Sequence, residues 1–159
     1  MSSVESCNSW YSSILSHTEA RVPLRTEFLM AACVLVINDQ HEILDLYYDL
    51  LNSDEYELEL SDYVFENLET IERLNPTLII LDFPVFKRAS GWRLLEQLKM
   101  HISTTSIPLI LCTPSMKDVR EQEDYLREQG IVICYKPFAP EAFVQTIQQM
   151  LRKPMRRAS

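Results

Sequence analysis

The chain has 159 residues, of which 47 % are hydrophobic, and its formal net charge is −8. This length and composition predict one domain with a substantial core and short extensions. The acidic balance, without a basic face, excludes a general nucleic-acid binder and suits partners that carry positive charge or metal ions.

Apolar runs and helical stripes alternate along the chain from residue 33 onward. The predicted strands cover 33–37, 56–60, 78–81, 107–112 and 131–134. Apolar residues at helical spacing follow each strand, in the stripes 43–51, 64–74, 92–98, 119–126 and 143–151. Strands that are apolar on both sides are typical of a parallel sheet covered on both faces. Five βα units in succession therefore predict an α/β fold, a doubly wound five-stranded parallel sheet in a three-layer sandwich.

Turn-forming residues and changes in composition set the boundaries of these units. Predicted breaks lie at Asn75-Pro76, Gly91, Pro114-Ser115 with Ser115 as a helix cap, Gly130 and Pro137. Residues 1–30 do not follow the alternation and are interpreted as an N-terminal extension, partly helical or disordered. The predicted domain covers 31–152, and 153–159 form a basic tail.

The four cysteines, Cys7, Cys33, Cys112 and Cys134, show no CxxC or other metal-ligand spacing. Three of them lie in apolar runs, where a free thiol behaves as a small hydrophobic group. We therefore expect neither a disulfide framework nor a zinc site, and a reducing, cytoplasmic environment. The apolar segment 28–37 is too short to span a bilayer, and its second half is interpreted as a strand.

Polar residues follow the predicted strands at their carboxyl ends, where doubly wound sheets bind ligands. They are Asn38 and Asp39, Asp82, Cys112 and Thr113, and Tyr135 and Lys136. An ionised Asp82 at the end of a buried strand is costly unless another group pairs with it. Two nearby carboxylates, Asp39 and Asp82, would repel each other, and a divalent cation would remove this repulsion.

This set of residues has the chemistry of a phosphoryl acceptor. Asp39, Asp82 and a loop carbonyl supply the oxygen ligands that Mg²⁺ prefers. Asp82 would attack a phosphoryl group and become an aspartyl phosphate. Lys136 and Thr113 would then supply a cation and a hydroxyl donor to the phosphoryl oxygens. With two glycines in the chain, no glycine-rich phosphate loop is present.

Four segments carry these residues: VINDQHEI (36–43), LIILDF (78–83), IPLILCT (107–113) and YKPF (135–138). In their order and spacing they resemble the receiver domain of bacterial two-component response regulators, over about residues 33–152. The resemblance implies that Asp82 is the phosphoacceptor and Thr113 the switch hydroxyl. It also implies that Lys136 binds the phosphate and that its bond to Pro137 is cis.

The same resemblance implies a Mg²⁺ site. Its protein ligands would be Asp39, Asp82 and the backbone carbonyl of Pro84, with Asn38 holding a metal-bound water. Asn38 stands where the family usually has an acidic residue, so we expect weaker Mg²⁺ binding but not its loss.

Other departures from the family concern the loops and the output switch. The loop between Asp82 and Gly91 is longer than usual, and Pro114 stiffens the loop that carries Thr113. The aromatic switch position of the family falls at Ile133, and Tyr135 is expected to face the other side of the sheet. We therefore expect an output switch that does not use the standard rotamer change.

The resemblance implies a signalling domain rather than an enzyme, with at most self-catalysed phosphoryl transfer and autodephosphorylation. Its phosphoryl donor would be a histidine kinase or a phosphotransfer protein. Because no DNA-binding or enzymatic domain follows residue 152, we expect a stand-alone receiver that signals by protein contact. No direct contact with nucleic acid or membrane is expected. The sequence leaves open whether the chain forms a homodimer.

Two alternatives belong to other functional classes. Asn38, the altered loop and Ile133 also suit a pseudo-receiver, a binding or dimerisation module that is never phosphorylated. A flavodoxin-like nucleotide or flavin binder has the same architecture, but the lack of a glycine-rich or hydroxyl-rich phosphate loop argues against it.

Overall fold

The structure is a computed structural model that describes residues 32–62, 68–82 and 89–152. In these ranges strands and helices alternate. Their order is β1 (Ala32–Ile37), α1 (His41–Leu51), β2 (Tyr56–Ser61), α2 (Glu69–Leu74), β3 (Leu78–Leu81), α3 (Ala89–Met100), β4 (Leu109–Thr113), α4 (Met116–Arg120), α5 (Glu123–Glu128), β5 (Ile131–Tyr135) and α6 (Pro140–Arg152). The predicted extension 1–30, the predicted tail 153–159 and the first part of the stripe 64–74 lie outside the described residues.

The five strands pair in parallel in the order β2-β1-β3-β4-β5. The chain first places β2 on one side of β1 and then places β3 on the other side. This reversal creates a switch point between β1 and β3, where open α/β sheets bind ligands. The predicted doubly wound, five-stranded parallel sheet is therefore confirmed.

The side chains of the central strands alternate between two buried faces. On the first, which we call the α1–α6 face, Val36 and Ile80 share a core with Tyr47 of α1 and Phe143 of α6. On the second, the α2–α5 face, residues such as Ile37 share a core with residues of four helices: Ile71, Leu94, Leu95, Leu98, Val119 and Leu126. Because both faces are covered, the central strands have no polar side, and this explains their continuous apolar runs.

Three of the predicted breaks have a defined local structure. Asn75 ends α2 in the left-handed region, with a φ of 47°, and its N–H bonds to the Ile71 carbonyl at 2.8 Å. Gly130 precedes β5 with a φ of 72°, a conformation that favours glycine. Ser115 caps α4, because its hydroxyl accepts a hydrogen bond from the Asp118 N–H at 3.4 Å.

Two local predictions were wrong. The charged segment 117–129 forms two helices, α4 and α5, rather than one. The Gln122 N–H donates to the Val119 carbonyl at 2.8 Å, and this three-residue turn ends the α-helical pattern. Gly91 was predicted to lie at a boundary between two elements, but it lies in the first turn of α3. No helix in the described part of the chain is long and apolar enough to cross a membrane.

Candidate functional site

The carboxyl ends of the five parallel strands lie at one edge of the sheet, and backbone hydrogen bonds continue past them. Ile37 of β1 is in register with Leu81 of β3, and the Asp82 N–H donates to the Ile37 carbonyl at 2.9 Å. At the far side, the Lys136 N–H donates to the Thr113 carbonyl at 2.8 Å. Backbone bonds to neighbouring strands of the sheet therefore fix the positions of Asp82 and Lys136.

Asp82 and Lys136 form an ion pair at this edge. The Lys136 ammonium contacts Oδ1 of Asp82. The two side chains are 7 % and 4 % exposed, for Lys136 and Asp82 respectively. A buried charge is tolerated when an opposite charge and further hydrogen bonds pair with it. The structure thus brings together the predicted phosphoacceptor and the predicted phosphate-binding lysine, and the Lys136-Pro137 bond is cis as expected.

Tyr47 adds a contact that the sequence interpretation missed. Its hydroxyl donates a hydrogen bond to Oδ2 of Asp82 at 2.7 Å and lies 3.6 Å from Sγ of Cys112. The sequence pattern had placed this residue only in the apolar stripe of the first helix. A tyrosine in a stripe that is otherwise aliphatic was a usable signal, because a buried tyrosine hydroxyl normally needs a polar partner.

Asn38 supports the backbone of the site. Its amide nitrogen donates to the carbonyl oxygen of Asp82, and its Oδ1 accepts a hydrogen bond from the Gln40 N–H at 2.8 Å. The side chain is buried. The amide nitrogen therefore joins the end of β1 to the end of β3, and the amide oxygen holds the turn that leads from β1 into α1. The predicted role of Asn38 in holding a metal-bound water stays a prediction.

The oxygen atoms predicted as ligands are of the type that Mg²⁺ prefers. Asp39 is partly exposed at the end of β1, next to the switch point, and Asp82 supplies a second carboxylate. Mg²⁺ takes oxygen ligands and keeps several waters, so two carboxylates and a carbonyl suffice. The predicted carbonyl, that of Pro84, lies outside the described residues. Within those residues no cluster of three or more His, Cys, Asp or Glu side chains is placed to hold a metal.

Thr113 lies at the end of β4, and its hydroxyl engages the following loop. Oγ1 accepts a hydrogen bond from the Ser115 N–H at 3.3 Å and lies 3.5 Å from the Ser115 carbonyl oxygen. The side chain is buried. The predicted role as a switch hydroxyl therefore requires the Thr113 O–H to turn from the Ser115 carbonyl to a phosphoryl oxygen.

The expected orientation of Tyr135 was wrong. Ile133 and Tyr135 both pack against the core of the α2–α5 face. Residues two positions apart in a strand point to the same side, so alternation itself places the two side chains together. An aromatic ring is therefore present on the same face as Ile133, the position to which the resemblance assigns the switch residue, two residues later in β5.

Two thiols lie on the α1–α6 face beneath the ion pair. Cys112 and Cys134 are in register on β4 and β5. Burial raises the pKa of Cys112 well above its ordinary value, and the hydrogen bond with Cys134 and the charge of Asp82 act in the same direction. The same thiol–thiol hydrogen bond lowers the pKa of Cys134. Cys112 thus stays neutral below the charged pair.

The fold is that of a doubly wound α/β domain, with a buried acid–lysine pair at the carboxyl edge of its sheet. The family model described as "Response regulator receiver domain" matches residues 34–148, which is most of the chain. The chain belongs to this family. A search of curated protein sequences found no significant match.

Solved structures of receiver domains share this fold. Chemotaxis response regulator CheY4 of Vibrio cholerae is 23 % identical with a TM-score of 0.61, covering 76 % of this chain and 99 % of its own. A CheY-like receiver domain protein from Methanospirillum hungatei is 24 % identical with a TM-score of 0.60, covering 76 % and 94 %. NtrX of Brucella abortus is 22 % identical with a TM-score of 0.59, covering 77 % of this chain but only 27 % of NtrX.

Proposed function

We propose that this chain is a phosphoacceptor in a phosphorelay and that Asp82 receives the phosphoryl group. The observation that carries the proposal is the buried pair of Asp82 and Lys136 at the switch point of a receiver-family sheet. A carboxylate held there beside the Lys136 ammonium has the arrangement that nucleophilic attack on a phosphoryl group needs.

The donor would be a phosphohistidine of a histidine kinase or a phosphotransfer protein. A carboxylate oxygen of Asp82 forms a bond to phosphorus, the bond from phosphorus to the imidazole nitrogen breaks, and the imidazole leaves with the electron pair. Lys136 orients the acceptor and then pairs with the negative charge of the aspartyl phosphate. Mg²⁺, held by Asp39, Asp82 and the carbonyl of Pro84, would neutralise negative charge among the carboxylates and phosphoryl oxygens.

Output would proceed by contact with another protein. Thr113 is the residue that would sense the phosphoryl group, and the loop it contacts leads directly into α4. Movement of Thr113 would therefore reach the surface formed by α4 and α5. Both helices carry charged side chains, which suit a polar protein partner.

The test is the intact mass of the protein after incubation with a small acyl phosphate and Mg²⁺. We expect one phosphoryl adduct on the parent chain and none on Asp82→Asn. Asp62→Asn, which changes an exposed carboxylate, is the matched control and should label like the parent. Equal labelling of the parent and Asp82→Asn would contradict the proposal.

A phosphorylation-independent binding module is the second candidate. The observation in its favour is that both oxygens of Asp82 and both ends of the Asn38 amide already have partners. This candidate predicts no spectral response to beryllium fluoride and Mg²⁺, a mimic of the phosphoryl group, in a folded protein. A response that depends on Asp82 would exclude it.

A further inference from the structure

Two side chains contact the carboxylate of Asp82, one at each oxygen. Lys136 contacts Oδ1, and the Tyr47 hydroxyl donates to Oδ2 at 2.7 Å. We propose that Tyr47 is a positioning residue that holds Asp82 in a resting arrangement and must release Oδ2 before metal binding and phosphoryl transfer. This inference rests on the proposed function of Asp82 as the phosphoacceptor.

The position of the hydroxyl is set by the packing of its ring. Tyr47 is 1 % exposed in the core of the α1–α6 face. Its ring lies 6.0 Å from that of Phe143, and Phe143 stacks on Phe138 at 4.4 Å. Phe138 follows Lys136 in the same loop. Because well-packed interiors resist small displacements, the ring holds its hydroxyl against Asp82 and is linked by packing to the loop of the lysine.

The contact competes with the chemistry that Asp82 is proposed to perform. A carboxylate has two oxygens, and here a cation lies at one while an O–H donor lies at the other. Attack on phosphorus uses a lone pair of one oxygen, and the metal needs a lone pair of the carboxylate as well. A hydrogen bond to a charged acceptor is stronger than one between neutral groups. The Tyr47 hydroxyl therefore makes Oδ2 less available both for attack on phosphorus and for binding the metal ion.

A second acceptor makes release feasible without moving the ring. Sγ of Cys112 lies 3.6 Å from the Tyr47 hydroxyl oxygen, and sulfur is a weak acceptor. Rotation about the C–O bond can turn the hydrogen away from Asp82 while the aromatic ring stays in place. The hydroxyl thus exchanges a strong bond for a weak one, so that Tyr47 slows phosphorylation but does not block it.

The variant Tyr47→Phe keeps the ring and removes the hydroxyl. We expect its initial rate of labelling by a small acyl phosphate with Mg²⁺ to rise about tenfold, since a hydrogen bond to a charged group has at least this net strength. We expect a similar gain in Mn²⁺ affinity, measured without phosphodonor by the paramagnetic resonance signal of free Mn²⁺. Tyr48→Phe, on the exposed side of α1, is the matched control and should change neither value.

The Asp82→Asn background separates this role from a merely structural one. There, Tyr47→Phe should leave the Mn²⁺ affinity unchanged, because the proposed effect acts through the carboxylate. Equal or lower labelling rate and Mn²⁺ affinity in a folded Tyr47→Phe protein would overturn the inference while leaving Asp82 as the phosphoacceptor. Labelling of Tyr47→Phe at Asp82, where the parent labels slowly, would support both proposals. No labelling and no Mn²⁺ binding in either protein would overturn both.

Discussion

Lys136 and Asp82 lie 54 positions apart in the sequence, yet their side chains are in contact at the carboxyl edge of the sheet. Both side chains are almost completely buried. Each is held in place by a backbone hydrogen bond from its own residue to a neighbouring strand, at Ile37 for Asp82 and at Thr113 for Lys136. The fold thus places a charged pair where most of the surrounding core is apolar.

Removal of the cation should destabilise the protein strongly. Lys136→Met removes the ammonium that contacts the buried carboxylate of Asp82. We expect the free energy of unfolding, measured with urea, to fall by about 3 kcal/mol, as is usual when one partner of a buried pair is removed. Lys117→Met, which changes an exposed lysine of α4, should change it by less than about 0.5 kcal/mol.

The double variant Lys136→Met with Asp82→Asn gives a sharper measurement of the same pair. It removes the carboxylate charge together with the ammonium, so it should be more stable than Lys136→Met alone. The effect of Asp82→Asn on the free energy of unfolding would be measured in the parent and in Lys136→Met. If Asp82→Asn lowered stability equally in both, the two side chains would not be energetically coupled.

Asn38→Asp should make stability depend on Mg²⁺. The new carboxylate replaces the amide donor that faces the carbonyl oxygen of Asp82, so we expect a loss of at least about 1 kcal/mol without metal. Added Mg²⁺ should restore stability, because a ligand that binds the folded state shifts the unfolding equilibrium. Thermal melts with and without Mg²⁺ measure this effect, and the parent should gain less. Melts of Asn38→Asp that ignore Mg²⁺ would contradict the proposed metal site.

Lys99 should make the stability rise with pH in the alkaline range. It is a buried lysine at the end of α3, and its ammonium donates to the Ile107 carbonyl at 3.1 Å. Burial lowers its pKa from the ordinary value of 10.5. Between this lowered pKa and 10.5 the unfolded chain binds more protons than the folded protein, so stability increases as pH rises through that window.

The comparison with Lys99→Met isolates this contribution, because the other titrating groups are shared by both proteins. The free energy of unfolding of the parent should rise relative to that of Lys99→Met as pH increases from neutral toward 10.5. A constant or shrinking difference between the two proteins, measured by urea unfolding at each pH, would show that burial does not disfavour the charged form of Lys99.

Asn75 should be replaceable by glycine but not by alanine. Its φ of 47° lies in the left-handed region, which costs an alanine about 1 kcal/mol and a glycine almost nothing. Urea unfolding should therefore rank Asn75→Gly above Asn75→Ala by about that amount. Asn52, which ends α1 with a φ of −64°, is the control position, where alanine should be at least as stable as glycine. An equal difference in stability between the glycine and alanine variants at both positions would show that the φ of Asn75 does not cause the effect.

The fold was predictable because its signals are strong and local. Strands buried on both faces must be apolar throughout, and the run 78–81 shows this directly. Parallel topology then brings the carboxyl ends of the strands to one edge, so the meeting of Asp82 and Lys136 followed from their positions after β3 and β5. The prediction of a single fourth helix was wrong, because the Gln122 N–H closes a turn that periodicity does not reveal.

The role of Tyr47 was not accessible from spacing alone. A helical stripe predicts which side of a helix faces the core, but the target of a terminal hydroxyl depends on how the helix is rotated and shifted over the sheet. The local bonds of Thr113 with Ser115 depend likewise on the conformation of a single turn. The orientation of Tyr135 could have been predicted from the sequence, because the two-residue period of a strand places its side chain on the same face as that of Ile133.

The most direct test of the account is to locate the phosphoryl group within the chain. The protein would be labelled with an acyl phosphate and Mg²⁺ and then treated with borohydride, which reduces an aspartyl phosphate to homoserine. Peptide mass analysis should find homoserine at position 82 and an unmodified Asp39. Reduction at another carboxylate, or a stable phosphoryl group on a hydroxyl side chain, would contradict the assignment of Asp82 as the phosphoacceptor.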